Sequence, residues 1–135
     1  TDAANFSAPE LLAAVCQTAQ QTFPSHIRIS SRADPGELTN DIAMPLALIL
    51  NELLTNAVKH GTNGHADVIR VSLSRETSGH LLTVEDDGPG FDLDEIRHSS
   101  SGLRLVDGLS RQLRGTFTVS RGSATRCSLS FPCEG

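Results

Sequence analysis

The chain has 135 residues, of which 38% are apolar and 20% are charged. This composition is typical of one soluble globular domain with a core of its own. The formal net charge of −5 argues against nucleic acid as the main partner, because binding a phosphate backbone needs a basic face. It does not exclude a small anionic ligand. We find no unbroken apolar run of about 18 residues, so we expect no membrane contact by this domain.

The cysteines and the chain start indicate the setting. Cys16, Cys127 and Cys133 are odd in number and match no zinc or redox spacing,. They favour a reducing, cytoplasmic location, with Cys16 in the core.

The first residues lack the basic and apolar segments of a signal peptide. The chain also lacks an initiator methionine, so we expect a fragment of a longer protein.

Two elements are predicted before residue 40. A helix starts with Ser7 or Ala8 as its cap and Pro9 in its first position, and it runs to about Thr22,. Residues 26–30 then alternate between polar and apolar side chains. This alternation predicts a strand.

The second helix is predicted over about residues 42–60. Asp41 is a candidate cap, and Pro45 falls in the first turn, where proline is tolerated,. Apolar residues recur at spacings of three and four, which predicts a buried face. This face consists of Leu50, Leu53, Leu54, Ala57 and Val58.

A polar set is expected on another face of the same helix. Glu52, Asn56, Lys59 and His60 stand at i, i+4, i+7 and i+8, so an α-helix stacks them over about two turns. A carboxylate, a carboxamide and two potential cations in this order can hold a hydrated divalent metal and its phosphates. Magnesium keeps several waters, so one side-chain oxygen is often enough. A solvated amphipathic helix is the alternative for this segment taken alone.

The second half of the chain predicts two hairpins around a helix. Residues 68–74 and 80–85 alternate as one antiparallel hairpin,. Residues 103–113 follow helical spacing, and residues 116–119 and 126–131 form the final hairpin. We therefore expect a single α+β domain, a two-layer sandwich of a mixed, mostly antiparallel β-sheet and an α-helical layer.

Glycines follow the first hairpin. Asp86 stands at a strand end, and Gly88 and Gly90 let the backbone approach a flat ligand closely,. A buried carboxylate is a good acceptor for the exocyclic amine of adenine, although a surface turn is the alternative. Gly102 opens the last helix, with Arg104 in its first turn. Free N–H groups there favour phosphate, unless the glycine merely ends a loop.

Taken together and in this order, these features resemble the ATP-binding domain of sensor histidine kinases, in the superfamily shared with gyrase, Hsp90 and MutL. LNELLTNAVKH is similar to the N box, DDGPGF to the G1 box, SGLRLVDGLSRQLRG to the G2 box, and SATRCSLSFP to the closing segment. The resemblance covers about residues 46–132 and implies a Bergerat-type ATP-binding fold. Three features together resemble second-type, HWE-like histidine kinases: the short segment before Gly102, His60 after Lys59, and NELLTNA. The tryptophan of the HWE group is absent, because the chain has no tryptophan.

The resemblance implies roles for the polar helix. Asn56 would ligate Mg2+. Glu52 would polarise a water in the metal's shell. Lys59 and His60 would face the phosphates of ATP.

The resemblance also implies roles at the nucleotide pocket. Asp86 would read adenine with help from Thr125, and Gly88 and Gly90 would shape the pocket. The phosphates would meet the helix start, which consists of Gly102, Leu103 and Arg104. Ala124 departs from the family, which usually has glycine there.

The implied activity is protein-histidine kinase chemistry with ATP and Mg2+. The γ-phosphate would go to a histidine on an upstream dimerisation and phosphotransfer domain, which is absent from this chain, and from there indirectly to a response regulator. Two other functions stay open. One is a stand-alone anti-sigma-type protein-serine kinase, and the other is a non-catalytic nucleotide-sensing module.

Overall fold

The computed structural model describes residues 5–61, 68–86, 101–121 and 125–133. The helices of these ranges are α1 (Ala8–Thr22), α2 (Asn40–Asn56) and α3 (Ser101–Gln112), and α2 continues into a π-helical turn (Ala57–Gly61). The strands are β1 (Asn5–Ser7), β2 (Arg28–Ala33), β3 (Glu37–Thr39), β4 (Val68–Glu76), β5 (Gly79–Asp86), β6 (Thr116–Arg121) and β7 (Thr125–Pro132).

One five-stranded sheet carries most of the strands, in the order β2-β4-β5-β7-β6. The β4–β5 and β6–β7 pairs are antiparallel hairpin partners, as the alternating patterns predicted, and β5 pairs antiparallel with β7. Only β2 and β4 run parallel within this sheet, because a parallel pair needs a long crossover and α2 supplies it. The predicted mixed, mostly antiparallel sheet is confirmed.

The helices form one layer against this sheet, with α2 packed against both α1 and α3. The apolar face predicted for α2 is confirmed. Leu50, Leu53, Leu54 and Ala57 are buried, and Val58 is half-buried against the core. Leu82 and Val84 meet the helices from the sheet side. The predicted two-layer α+β sandwich is therefore confirmed.

The start of the chain differs in detail from the expectation. Ser7 is the cap of α1, since its Oγ accepts a hydrogen bond from the N–H of Glu10, and Pro9 is the second helical residue rather than the first. Strand β2 begins at Arg28, two residues later than predicted. The short antiparallel pair of β1 with β3 was not predicted at all, because three-residue strands carry too little alternation.

The start of α2 was also placed wrongly. Thr39 is the N-terminal cap residue, and Asp41 lies within the first turn instead of capping it. Pro45 is consequently inside the helix rather than in its first turn. Its missing N–H leaves the carbonyl of Asp41 without the usual helical donor.

Within the described ranges, one helical stretch, Asn40–Lys59, is long and apolar enough by length and composition to cross a membrane. Polar residues interrupt it, so it contains no unbroken apolar run of that length. More than half of the stretch is buried inside the fold. A core helix passes this test as readily as a membrane span does, so the stretch is weak evidence for a span.

Candidate functional site

The buried end of the β5–β7 pair brings a carboxylate and a hydroxyl together. Asp86 is the last residue of β5 and lies directly opposite Thr125, the first residue of β7. Asp86 is only 3% exposed and Thr125 only 1%. Because an isolated buried charge is costly, a carboxylate at this depth implies polar partners. This end of the sheet is therefore built around a hydrogen-bond acceptor.

A thiol lies beside this pair, on the same face of the sheet. Cys127 is two residues after Thr125 and opposite Val84. Burial, and secondarily the negative charge of Asp86, raise the pKa of Cys127 to about 12. The thiol therefore stays neutral near Asp86. The sequence reasoning placed no site role on Cys127, although its i+2 spacing from Thr125 along a strand indicates the shared face.

Asn56 is a buried polar residue at the end of α2, with 4% of its surface exposed. Its Nδ2 atom is buried and finds no hydrogen-bond partner among the described residues. Oxygen and nitrogen of a carboxamide are assigned from such bonds, so one polar end of this side chain is unsatisfied. A buried polar group without a partner is rare in native proteins, so this side chain is expected to meet a polar group beyond the described residues, in the chain or in a bound ligand.

The π-helical turn after Asn56 contacts β5, the strand that ends at Asp86. The structure therefore brings the end of the polar helix to the strand of the buried carboxylate. Turns of this kind bond i to i+5 and occur often at functional sites. The sequence contained no signal for it, because the predicted helix was α-helical throughout.

The π-helical turn changes only part of the predicted polar face. Glu52 and Asn56 both lie in α2 and keep the i, i+4 spacing, with Glu52 half-buried and Asn56 buried. Lys59 lies within the wider turn and is exposed, so the α-helical spacing predicted for it does not apply. The side chain of His60 lies outside the described residues.

The start of α3 supplies backbone N–H groups rather than a polar cluster. Gly102 is the second residue of this helix, Leu103 is buried in the core and Arg104 is exposed. The N–H groups of the first helical turn lack helical acceptors. Gly88 and Gly90 lie outside the described residues.

Within the described ranges, no group of three or more His, Cys, Asp or Glu side chains could hold a metal ion. A protein-only metal cage is therefore absent from that part of the chain. A magnesium ion held by one carboxamide, by waters and by substrate phosphates needs no such cage.

The fold and the buried acceptor define a nucleotide-binding α+β sandwich of the Bergerat type. Residues 41–135 match the family described as histidine kinase-, DNA gyrase B-, and HSP90-like ATPase. The chain belongs to this family, and membership implies ATP binding. The resemblance recognised in the sequence is thereby confirmed.

Relatives with curated descriptions are sensor kinases. The chain is 33% identical over 100 residues to blue-light-activated histidine kinase 2 of Erythrobacter litoralis, covering 71% of this chain and 29% of that protein. It is 32% identical over 102 residues to the sensor histidine kinase ComP of Bacillus subtilis, covering 74% of this chain and 13% of that protein. The chain thus spans less than a third of either relative.

Solved structures show the same fold. A blue-light-activated histidine kinase of Erythrobacter litoralis superposes with a TM-score of 0.87 at 25% identity, covering 95% of this chain and 42% of that one. The ATP binding domain of PrrB from Mycobacterium tuberculosis superposes with a TM-score of 0.79 at 22% identity, covering 100% of both chains. The second match speaks for the fold alone.

Proposed function

We propose that this chain is the catalytic ATP-binding domain of a two-component sensor histidine kinase. It would transfer the γ-phosphate of ATP to a histidine on a separate helical domain. One observation carries the proposal. The buried Asp86–Thr125 pair ends the strand that the π-helical turn contacts, and Asn56, just before that turn, has a buried amide nitrogen without a partner in the part of the chain that the structure describes.

Asp86 is the proposed reader of adenine. Its carboxylate accepts a hydrogen bond from the exocyclic amine, and its burial excludes water that would compete for that bond,. The hydroxyl of Thr125, directly opposite, both donates and accepts and can support the carboxylate or the base. Gly88 and Gly90, in the segment after β5, are proposed to shape the pocket.

Asn56 is the proposed magnesium ligand. The fit is chemical, since a carboxamide oxygen is a ligand that Mg2+ accepts, and the Nδ2 end of this buried side chain lacks a partner among the described residues. Bound Mg2+ would neutralise charge on the phosphates. Glu52 lies one helical turn before Asn56 and is half-buried, so we assign it the orientation of a water near the metal.

The phosphates of ATP are proposed to meet Lys59, His60 and the start of α3. Lys59 is exposed and therefore free to move toward a bound triphosphate. Gly102 and Leu103 offer backbone N–H groups at a helix N-terminus, where anions are favoured, and Arg104 adds positive charge,. Positioning and charge neutralisation are most of what phosphoryl transfer needs.

The partners of this domain are proposed from the family. The phosphoacceptor histidine would lie on an upstream dimerisation and phosphotransfer domain of a longer protein, and a response regulator would receive the phosphate in turn. We propose a cytoplasmic location, where ATP is available. The whole of residues 1–135 would be one domain. The relatives described above are sensor kinases and give no support to an anti-sigma-type serine kinase or a non-catalytic module.

Calorimetric titration tests the binding part of this proposal. A non-hydrolysable ATP analogue and ADP are each titrated with and without Mg2+. We expect both nucleotides to bind, and the triphosphate to depend more strongly on the metal. Absence of binding by either nucleotide would contradict the proposal and favour a domain that docks without nucleotide.

The longer protein tests the chemistry. With radiolabelled ATP and Mg2+ we expect a phosphoprotein whose label is lost in acid and kept in base, as for phosphohistidine. An acid-stable label would instead indicate a phosphoserine. Asn56→Ala should abolish the metal-dependent transfer, whereas Asn51→Ala, at an exposed position of the same helix, should keep it.

A further inference from the structure

Arginine and hydroxyl side chains predominate in two rows of the outward face of the five-stranded sheet. Successive residues of a strand point to opposite faces, so the inward Leu82, Val84 and Asp86 leave Thr83 and Glu85 on the outside. Two neighbouring rows of paired residues cross this face. We name them together the outer-face cluster: Ser30, Arg70, Glu85, Arg126 and Ser120 in one row, and Arg32, Ser72, Thr83, Ser128 and Thr118 in the next.

Positive charge exceeds negative charge in the outer-face cluster. Glu85 accepts a hydrogen bond from Nε of Arg70 at 3.3 Å and from Nη2 of Arg126 at 3.1 Å. The two arginine side chains remain 45% and 56% exposed in these ion pairs. Arg32 is exposed and forms no ion pair within the described ranges. Among the described residues of the cluster, three arginines thus stand with one carboxylate, on a chain whose net charge is −5, and Arg70 has a further interaction besides Glu85.

A shallow hollow of about 290 Å³ lies on this face, lined by members of both rows. Arg32, Arg70 and Arg126 stand around it, and the hydroxyls of Ser72 and Thr83 lie 2.6 Å apart within it. Hydroxyls donate as well as accept. The hollow, which Glu85 also lines, therefore offers arginine N–H donors and the one O–H that the hydroxyl pair does not use. Neither row contains an aromatic or long aliphatic side chain, and the half-buried Leu81 stands in the next row of the same face.

Exposure to water explains why this face is polar. It does not explain why positive charge exceeds negative charge among the described residues of the cluster. An antiparallel sheet often keeps one face in water, and hydroxyl or charged pairs across strands stabilise it modestly. A merely solvated face of an acidic protein would be expected to carry at least as many carboxylates as cations, whereas the described cluster has Glu85 as its one carboxylate. Every cation of the outer-face cluster is an arginine, the residue that pairs with carboxylates bidentately and is enriched at protein interfaces.

We infer that the outer-face cluster docks a carboxylate-rich protein segment. Arg32 and Arg126 pair with carboxylates of the segment, and the serine and threonine hydroxyls donate to its remaining oxygens. The small excess of positive charge suits a few carboxylates. It does not suit a long polyanion or an anionic membrane, which the net negative chain would repel. The segment docks on the side of the sheet opposite Asp86, so this inference is independent of nucleotide binding.

A labelled acidic peptide tests the inference. Fluorescence anisotropy is measured with a short Glu/Ser peptide and with its Gln/Ser counterpart, at low and at high ionic strength. The acidic peptide should bind at low ionic strength, release at high ionic strength, and bind more tightly than the neutral one. A single-stranded oligonucleotide and vesicles containing phosphatidylserine are measured in parallel. Tighter binding of either, or no binding of the acidic peptide, would overturn the inference.

Charge-removing variants locate the surface. The double variant Arg32→Gln/Arg126→Gln should weaken peptide binding roughly five-fold, the effect of two charge pairs of modest strength. Arg111→Gln removes an exposed arginine from α3 and should leave peptide binding unchanged. Equal weakening in both variants would reflect net charge alone and would overturn the inference. Urea unfolding confirms that each variant folds, and nucleotide binding should stay unchanged in the double variant.

Discussion

Asp86 and Thr125 are directly opposite residues of neighbouring antiparallel strands, and both are almost completely buried. The strand pair of β5 with β7 therefore sets the acceptor and the hydroxyl at one fixed separation. Both side chains point toward the helices, as the core residues Val84 and Cys127 do two positions further along. Asp86, the residue proposed to bind adenine, is thus held by a hydrogen-bonded strand pair rather than by a loop.

Asp86→Asn should weaken adenine nucleotide binding roughly ten- to a hundred-fold, the loss expected when a hydrogen bond to a charged group is removed. The amide keeps the size of the carboxylate but loses its charge and can direct an N–H toward the base. Calorimetry with ADP measures the effect. Asp41→Asn, at an exposed position of α2, is the matched control and should bind as the wild type does.

The same assay tests whether Thr125 acts with Asp86. Thr125→Val removes the hydroxyl at nearly constant volume, and its effect should not add to that of Asp86→Asn, because residues in contact share their partners. Wild-type affinity in the Asp86 variant would contradict the adenine assignment.

Asn56→Leu should increase the stability of the fold and at the same time remove the Mg2+ dependence of nucleotide binding. The buried carboxamide of Asn56 has a nitrogen without a partner among the described residues, and an unsatisfied buried group costs about 1–3 kcal/mol. An apolar side chain of similar size should therefore raise the free energy of unfolding by about 1 kcal/mol, while the dependence of ADP binding on Mg2+ is lost.

Urea unfolding and calorimetry at two Mg2+ concentrations measure these two effects. Asn51→Leu, on the exposed side of the same helix, should change neither. A metal dependence that survives in Asn56→Leu would mean that another residue holds the ion.

His80 should make the fold sensitive to acid. It is 7% exposed, its ring stacks on Phe131 at 5.2 Å between centroids, and its Nδ1 is buried without a partner in the described ranges. Burial, and secondarily the charge of Arg75, lower the pKa of His80 in the fold. The unfolded chain then binds the proton more readily, so stability is present at high pH and falls as pH drops through the unfolded pKa of about 6.5.

The measurement is the urea midpoint at about pH 8 and about pH 5, on either side of the ordinary histidine pKa. His80→Leu should lose less stability on acidification than the wild type. His26→Leu, at an exposed site, should lose as much as the wild type. Equal acid sensitivity of all three proteins would show that carboxylates alone cause it.

The three cysteines should differ in reactivity. Burial raises the pKa of Cys16, with a smaller opposing effect of a hydrogen bond with Ser31, and burial raises that of Cys127 to about 12. Thiolates react and thiols do not, so at mildly alkaline pH a disulfide reagent should modify the half-exposed Cys133 first. Unfolding in urea should release the other two. Rapid reaction of all three thiols in the native protein would contradict the burial of Cys16 and Cys127.

Much of the fold was predictable because its main elements carry periodic signals. The spacing of Leu50, Leu53 and Leu54 identifies the buried face of α2, and alternation along β4 and β5 identifies their hairpin. The pair of β1 with β3 has three residues per strand, too few for a pattern. The N-terminal cap of α2 is Thr39 rather than Asp41, because β3 ends at Thr39 and the helix begins directly after it. The end of β3 is set by its pairing with β1, which is a tertiary contact.

The candidate site was predictable by residue type and not by geometry. Glu52, Asn56 and Lys59 were expected on one α-helical face, but Lys59 lies in the π-helical turn, whereas Glu52 and Asn56 lie in the α-helical part of α2. The spacing of apolar residues along a helix reflects the average number of residues per turn. It therefore does not reveal a single π-helical turn. The proximity of Cys127 to Asp86 likewise needs the pairing of two distant strands.

By itself, the sequence determined which functional groups are present and on which kind of element they lie. These are an acidic residue at a strand end, a carboxamide on an amphipathic helix, and glycines before a last helix. These are local properties, because residue type and periodicity act over a few neighbours. Only the tertiary structure decided that Asp86 is buried opposite Thr125 and that Asn56 is buried, with an amide nitrogen that meets no partner within the described ranges. Burial depends on which distant segments pack together, and burial is what turns a polar side chain into a binding group.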